Sequence, residues 1–494
     1  MSHSLIRYFI KENSVLTIGN ILVNLKRVLL MPLIIKTVGV AVYGGFVLFT
    51  TMLGIVFGIS SFGASFKAQR FLPSTTDNTK RRKLFYRQFF FQMASIMSLS
   101  LLLVLMNNDI VLFFFNNSIS YSVFIIPLYL LSYLFYSQSS LYFRYTSRVN
   151  YMTISGICFA YLDVGLVIIF LYIYKYLNIT VLVLSQTISA IVIAIPCFII
   201  IFKEIGIRFS FFKFKDLISN IKIGFPLVLN YIVDFILAGS DRYLIGLFLS
   251  VTSVGYYNPA YILGSLIILF AKAMGGVLPQ LLSKAVDDKK EKEAQKMLNY
   301  ALKFFLLLAI PYIFGAIVFG QPLLTLLANS DVAEKAFIVI PIIAIGTLFY
   351  GLNLILANVL FVKMKTKTIF SMNLIASIFN LLANIILLYF FRNIIVAAIT
   401  TLLSYFIAFI YIYIIIKKDW VVDFQPVVII KSVLASLFMS CLLFWISIYF
   451  DNNNSITILL SQIGMGVVIY LVALLALRTF SPIEMAFLKR FIFR

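Results

Sequence analysis

The sequence predicts an all-α integral membrane protein with about 14 transmembrane helices, because a bilayer core needs about 20 apolar residues per helix. Three observations support this fold class. Of the 494 residues, 62% are hydrophobic and 12% are charged, whereas ordinary soluble domains carry about 25% charged residues. Apolar segments of spanning length follow one another along the whole chain. The connections between them are alternately rich and poor in Lys and Arg.

The apolar segments form two groups of six and a final pair. The first group predicts helices over 15–35, 42–63, 85–106, 123–143, 151–174 and 179–202. The second predicts helices over 223–247, 255–278, 298–319, 337–361, 369–390 and 394–416. The final pair covers 427–449 and 456–477. The first segment is the least apolar, because two basic residues interrupt it, and it is too long and too charged for a cleavable signal peptide.

The basic charge is concentrated in every second connection. The chain carries 40 Lys and Arg against 18 Asp and Glu, for a net charge of +22. Such an excess suggests nucleic-acid binding in a soluble protein, but this chain lacks the solvated surface that nucleic-acid binding needs. Basic connections that alternate with weakly charged ones follow the positive-inside rule. The pattern therefore predicts a multi-pass protein with both termini in the cytoplasm, and most of the charge sets its orientation.

The sequence also excludes several kinds of chemistry. The one histidine, His3, cannot supply a zinc-protease motif or a histidine-based triad. Cys158, Cys197 and Cys441 lie in apolar segments without metal-ligand spacing, and the chain has no Walker loop. We therefore expect no catalytic residues, no metal and no cofactor.

The two groups of six helices resemble each other. Each group opens with a helix that carries basic residues and continues into a tyrosine-containing segment, with Tyr43 and Tyr257 at equivalent places. Such repeats place a transport path at the interface between lobes. The predicted division is an N-terminal lobe over 1–206, an interfacial linker over 207–222, a C-terminal lobe over 223–418, and two further helices with a cytoplasmic tail over 419–494.

Polar side chains within the predicted spans are the candidate functional residues, because ionisable groups are costly in a bilayer. Several share one helical face, and the cations concentrate on the first two helices of each lobe. A cationic cavity suits a diphosphate, since Arg matches phosphate oxygens, and amide, hydroxyl and aromatic rows suit sugars. The predicted substrate-binding residues are Asn20, Asn24, Lys26, Arg27, Asn230, Arg242, Asn258 and Lys272. The candidate coupling residues are Asp163, Asp234 and Asp241.

Each of these patterns also has a structural explanation. Asn and Ser rows hold helices together, and the tyrosine row Tyr129, Tyr133 and Tyr136 is also typical of packing. Asp241 and Arg242 could form a structural pair, and Asp163 could pair with Arg27 or Lys26 simply to neutralise them. A polar stripe over Asn258, Tyr261, Ser265 and Lys272 is predicted on one continuous helix.

Two stretches of the chain resemble polysaccharide-transport flippases. The first contains Gly19-Asn-Ile, Met31-Pro-Leu-Ile-Ile, Gly39, Tyr43-Gly-Gly-Phe, Gly63 and Arg70-Phe. The second contains Gly224-Phe-Pro-Leu-Val-Leu-Asn, Asp241-Arg242-Tyr-Leu-Ile-Gly and Val254-Gly-Tyr-Tyr-Asn-Pro-Ala-Tyr. In length, helix number and lobe repeat, the chain is similar to Wzx-like O-antigen and capsule flippases. That family lies in the superfamily that includes multidrug and toxin extrusion (MATE) antiporters and the lipid II flippase.

The resemblance implies a transporter of undecaprenyl-diphosphate-linked oligosaccharides in the bacterial inner membrane, working by alternating access. It implies coupling to a proton gradient, a sodium gradient or the membrane potential. Expected partners are the lipid-linked oligosaccharide, membrane lipids and other polysaccharide assembly proteins, with no nucleic acid and a monomeric state. A drug or cation antiporter of the same fold is the first alternative, although it would need an acidic or aromatic cavity. A membrane glycan polymerase or glycosyltransferase is the second, although it would need a longer outer loop.

Overall fold

The structure is a computed structural model of the chain. It describes residues 3–62, 72, 75, 77–115, 120–174, 177–211, 214–449, 456–480, 482 and 484–485, with side chains omitted at 3–14, 16, 17, 112–114, 174, 214–223, 276, 277, 448 and 449. Within these residues every long regular element is an α-helix, which confirms the predicted fold class.

Seventeen helices are found in the described part of the chain. The first nine are α1 His3–Val38, α2 Val40–Ser60, α3 Asn78–Leu105, α4 Asn107–Phe115, α5 Ile125–Tyr145, α6 Val149–Tyr174, α7 Ile179–Ile205, α8 Phe214–Phe248 and α9 Val251–Gly264. The others are α10 Ile268–Asp287, α11 Glu291–Leu327, α12 Ser330–Ala336, α13 Val339–Val362, α14 Thr366–Phe391, α15 Ile394–Ile416, α16 Pro426–Tyr449 and α17 Ile456–Ala476.

The long helices match the predicted membrane spans. Eleven helices of the described chain are long and apolar enough to cross a bilayer, or twelve if the bent pair α9 and α10 is counted as one span. The two remaining predicted spans correspond to α5, which is rich in tyrosine and serine, and α8, which carries several ionisable residues. The prediction of about 14 spans is therefore roughly consistent with the structure.

Large apolar side chains are exposed along these helices. Ile154 of α6, Leu382 of α14 and Leu460 of α17 are each more than half exposed. A soluble monomer rarely exposes apolar surface on many helices at once, whereas hydrocarbon chains solvate it. The chain is therefore a multi-pass membrane protein.

The chain forms two compact units. Unit 1 comprises Met1–Asn258 and Leu381–Asn393, and unit 2 comprises Pro259–Asn380 and Ile394–Arg494. The predicted domain boundaries at 206 and 222 stay a prediction.

In unit 1, buried amides connect α2, α3 and α5. The Gln88 amide nitrogen donates to Gln138 at 3.3 Å, and the Gln138 nitrogen donates to Gln92 at 2.6 Å. Gln92 in turn donates to the Ser60 hydroxyl at 3.2 Å, which donates to the Phe57 carbonyl at 2.6 Å. We call this the glutamine chain. Interhelical hydrogen bonds of this kind hold helices together where no hydrophobic effect drives their association.

Glycines allow α2 to approach α9 closely in unit 1. A Cβ atom on Gly255 would lie 2.2 Å from the Val40 carbonyl oxygen, and one on Gly44 would lie 2.1 Å from the Val251 carbonyl oxygen. Such contacts are possible only without side chains, so the two backbones touch. This crossing fixes the position of the polar residues on α9 relative to α2.

In unit 2, the continuous helix predicted over 255–278 is wrong. The structure divides it at residues 265–267 into α9 and α10, which are bent by 53°. Hydrogen bonds of the tighter i→i+3 type replace the α-helical ones there. The hydroxyl of Tyr312 donates to the Leu263 carbonyl, and that of Thr347 donates to the Gly264 carbonyl at 3.1 Å. Side chains thereby satisfy backbone groups at the bend, as a membrane interior requires.

The last two helices pack on α11 within unit 2. Tyr470 of α17 donates its hydroxyl to the Leu307 carbonyl at 2.8 Å and contacts the Ser432 hydroxyl at 2.7 Å. Lys303 of α11 donates to both carboxylate oxygens of Glu484 at 2.8 Å, and both side chains are nearly buried. A buried ion pair therefore attaches the segment after α17 to α11.

Ion pairs also join helix ends and loops. In unit 1, the Glu204 carboxylate lies 3.3 Å from the Arg81 guanidinium and 3.0 Å from that of Arg148. In unit 2, Asp419 accepts hydrogen bonds from Lys365 at 2.9 Å and Lys363 at 3.0 Å, which lower the pKa of its carboxyl to about 2.

Candidate functional site

An ion pair lies between α1 and α6 in unit 1. The Lys26 ammonium lies 2.5 Å from the Asp163 carboxylate, which is fully buried. The Ser185 hydroxyl of α7 donates to the other carboxylate oxygen at 2.5 Å. Lys26 also lies 4.8 Å from the centre of the Phe159 ring. Of the two cations suggested as partners of Asp163, the structure selects Lys26.

A row of aromatic rings lies beside this pair. Tyr129, Tyr133 and Tyr136 of α5 occupy successive turns of one helix face, and the rings of Tyr129 and Tyr133 are parallel with centroids 5.7 Å apart. Tyr136 stacks on Phe159 at 4.4 Å. All four side chains are partly exposed. We call these four residues the aromatic ladder.

Arg27 lies next to the ladder and is exposed. Its charge acts electrostatically on the hydroxyls of Tyr43 in α2 and Tyr133 in α5. The neighbouring amides have different roles, because the Asn24 amide nitrogen donates to the Asn20 backbone carbonyl at 2.7 Å. Asn24 therefore bonds within its own helix, while Asn20 is exposed.

Arg242 lies at the centre of a second network. Its Nε donates to the Asn258 side-chain oxygen at 2.9 Å, and the Asn258 amide nitrogen donates to the Tyr43 hydroxyl at 2.9 Å. The buried Asp241 carboxylate lies 3.4 Å from the guanidinium and accepts a hydrogen bond from the Tyr257 hydroxyl at 2.6 Å. Both tyrosines of the sequence repeat thus belong to one network, which connects α2, α8 and α9.

The remaining predicted residues of this group lie on α8 and α10. The Asn230 amide donates to Asp234 at 3.1 Å, and Asp234 is exposed. Lys272 is exposed in α10 of unit 2. The prediction of one continuous helix under Asn258, Tyr261, Ser265 and Lys272 is wrong, because the helix breaks after Gly264.

Carboxylates balance part of the predicted cationic charge. Lys26 faces Asp163 and Arg242 faces Asp241, and each carboxylate is buried. A buried charge needs such a partner. Arg27 is exposed, and its guanidinium can bind an anion.

Sequence reasoning missed the glutamine chain and the partner residues Ser185 and Phe159. Gln88 and Gln92 lie four residues apart on α3, which was a visible sign of a polar face. Ser185 is one of many serines in apolar segments, so no sequence signal distinguished it. The structure shows where these residues lie, and the roles of the predicted site residues stay predictions.

Two family profiles match the chain. Residues 9–279 match "Polysaccharide biosynthesis protein", and residues 226–386 match "MatE". A curated relative, "Probable low-salt glycan biosynthesis flippase Agl15" of Haloferax volcanii, is 23% identical over 193 residues. That match covers 39% of this chain and 40% of the relative, so this chain aligns with less than half of the relative's length.

Two solved structures have a similar fold. "Lipid II flippase MurJ, inward closed conformation" superposes with a TM-score of 0.71 at 20% identity, covering 94% of this chain and 98% of that one. An inward-facing multidrug resistance MATE family transporter of the MOP superfamily superposes with a TM-score of 0.64 at 11% identity, covering 80% and 95%. At these identities the likeness establishes the fold.

Proposed function

We propose that this chain, which belongs to the polysaccharide biosynthesis protein family, is a flippase that carries lipid-linked glycans across a membrane. The observation that carries the proposal is an exposed arginine, Arg27, beside tyrosine hydroxyls within a membrane-spanning unit. A cation at that place is costly unless it binds an anion or faces water. The match to a glycan biosynthesis flippase supports the same function.

The substrate we propose has a diphosphate between its lipid and its glycan. A guanidinium binds phosphate oxygens through paired, charge-assisted hydrogen bonds. Arg27 would bind the diphosphate, and Arg242, held by Asn258 and Asp241, would contribute a second donor. Lys26 is oriented by Asp163 and would contribute mainly to the local potential.

The finer parts of the proposal concern substrate, place and energy source. We propose an undecaprenyl-diphosphate-linked O-antigen or capsule repeat unit, carried by alternating access across the bacterial inner membrane. The basic connections support cytoplasmic termini. We propose transport without catalysis or cofactor by a monomer that contacts lipids and other assembly proteins. A proton or sodium gradient would act through Asp163, Asp234 or Asp241.

The test is a flipping assay in proteoliposomes with a fluorescent prenyl-diphosphate oligosaccharide. We expect Arg27→Ala to slow flipping at least tenfold, because loss of a charge-assisted bidentate contact costs about 1.5–3 kcal/mol. Arg144→Ala is the matched control, since Arg144 is an exposed arginine at the end of α5. Equal rates for wild-type protein and Arg27→Ala would refute the role of Arg27, and no flipping by wild-type protein would refute the function.

Cation antiport is a second candidate function, because residues 226–386 match the MatE profile. It predicts that a cationic dye leaves loaded proteoliposomes when a sodium or proton gradient is imposed. The Arg27 charge would repel such a dye, so we expect no efflux. Efflux without glycan flipping would favour antiport.

A further inference from the structure

The aromatic ladder has features that packing alone does not explain. Tyr142 and Tyr145, on the same helix, are buried at 1% and 8% exposure, as packing residues should be. Tyr129, Tyr133 and Tyr136 are instead partly exposed. They lie at intervals of four and three residues, which places them in a line along one face of α5.

The hydroxyls of the ladder also lack hydrogen-bond partners among the described residues. In the described part of the chain, Tyr129, Tyr133 and Tyr136 make ring contacts, and their hydroxyls make no hydrogen bond there. Nearby tyrosines behave differently, since Tyr231 donates to the Gly54 carbonyl at 2.9 Å and Tyr243 to the Leu48 carbonyl at 3.0 Å. A tyrosine hydroxyl away from water normally finds a partner. The ladder therefore presents three hydroxyls that a ligand can engage.

The ring geometry fits flat, weakly polar ligands. Successive ring centroids are 5.7 Å and 5.8 Å apart, a repeat comparable with the length of one hexose unit. Sugar rings have an apolar face of C–H groups that packs on an aromatic ring, and a rim of hydroxyls that hydrogen-bonds. Tyrosine offers both a ring face and a polar tip.

The charges beside the ladder select the class of ligand. The Arg27 charge acts on Tyr133, and Lys26 lies over the Phe159 ring at the end of the ladder. Asp163 balances the charge of Lys26, so the additional positive charge here is that of Arg27, which would attract an anionic sugar conjugate and repel a cationic aromatic ligand. The observations favour a saccharide with a phosphate group.

We propose that the aromatic ladder is the glycan subsite, on which sugar rings of the substrate stack while Arg27 binds the adjoining diphosphate. This inference rests on the proposed function and adds the residues that contact the sugar. Tyr129 and Tyr133 provide parallel ring faces, and Tyr136 with Phe159 forms the end of the subsite nearest Lys26.

The test compares two soluble probes by calorimetry on the purified full-length protein in detergent micelles. One probe is farnesyl diphosphate, and the other carries an N-acetylglucosamine disaccharide on the same diphosphate. We expect Tyr133→Ala to weaken binding of the disaccharide probe about tenfold, or about 1.4 kcal/mol, with the sugar-free probe unchanged. Tyr133→Phe, which keeps the ring, should lose less affinity for the disaccharide probe than Tyr133→Ala. Tyr413→Ala is the matched control, because Tyr413 stacks on Phe409 in unit 2.

Each outcome separates this inference from the proposed function. A wild-type protein that binds both probes equally would overturn the glycan subsite and leave diphosphate recognition intact. Equal weakening of both probes by Tyr133→Ala would also overturn it, since the ring would then support the site as a whole. A wild-type protein that binds neither probe would overturn both proposals. A folded Tyr133→Phe variant keeps the comparison valid if the alanine variant fails to fold.

Discussion

Removing either member of the Lys26–Asp163 pair should destabilise the protein strongly, whereas removing both should cost little. At 2.5 Å and an effective dielectric constant of about 20, the attraction between the two charges is about 7 kcal/mol. Desolvation of two ions offsets most of this attraction. Lys26→Met leaves the fully buried Asp163 carboxylate without its counter-charge, so we expect a loss of about 3–5 kcal/mol. In Lys26→Met/Asp163→Leu we expect the unfolding free energy to fall by no more than about 1 kcal/mol, because replacing a buried ion pair by an apolar pair of similar volume often leaves stability unchanged.

The assay is equilibrium unfolding of the four proteins of this double-mutant cycle in mixed dodecylmaltoside and SDS micelles. The control is Lys335→Met, because Lys335 lies 2.8 Å from Asp331 but both side chains are half exposed. For this control we expect a loss of about 0.3–0.5 kcal/mol of unfolding free energy. A coupling energy below about 1 kcal/mol for the buried pair would refute the reasoning. In a separate flipping assay, activity of the stable double variant would assign the Lys26–Asp163 pair to packing, and loss of activity would support a role of the pair in transport.

Three further predictions follow from the packing and the loops. Gly255→Ala should lose about 1–3 kcal/mol of unfolding free energy because its Cβ would lie 2.2 Å from a backbone oxygen of α2. Gly165→Ala, in open space, should gain up to about 1 kcal/mol, and equal effects would contradict the close crossing. Thr347→Val should cost about 0.6–1.7 kcal/mol because the Gly264 carbonyl loses its donor, whereas Thr325→Val, which removes a hydroxyl bonded within its own helix, should cost less. The Asp419 carboxyl has a pKa lowered to about 2, so its contribution is present above pH 4 and disappears as the pH falls toward 2. The stability difference between wild-type protein and Asp419→Asn should therefore be constant from pH 9 to pH 5, and a decrease within that range would contradict the assigned lysine contacts.

The spans were predictable because bilayer thickness fixes the length of an apolar segment. Each predicted segment overlaps a helix of the structure, and the tyrosine row lies on one helix face as its spacing indicated. The break between α9 and α10 was missed, although Pro259 and Gly264 lie close to it. Hydropathy alone cannot distinguish a bent span from a straight one, because the turn residues at 265–267 lie within a segment that is apolar on average.

The partners of the polar residues could not be predicted in the same way. The choice of Lys26 for Asp163 depends on how α1 and α6 are rotated about their axes. The hydrogen bond between Asn258 and Tyr43 joins residues 215 positions apart. Spacing along one helix identifies a face, but only the packing of several helices determines what that face contacts.

The glutamine chain has a direction. Gln138 and Gln92 each donate a hydrogen bond from the amide nitrogen and accept one on the amide oxygen, so donation runs one way from Gln88 through Gln138 and Gln92 to Ser60. Reversing one amide would set donor against donor on one side and acceptor against acceptor on the other. The three amides can therefore reverse their orientation only together. A Gln138→Glu change, which is nearly isosteric, would remove the donor at the centre of this row of hydrogen bonds and interrupt it there. α2, α3 and α5 are held by a single ordered arrangement whose parts cannot be exchanged one at a time.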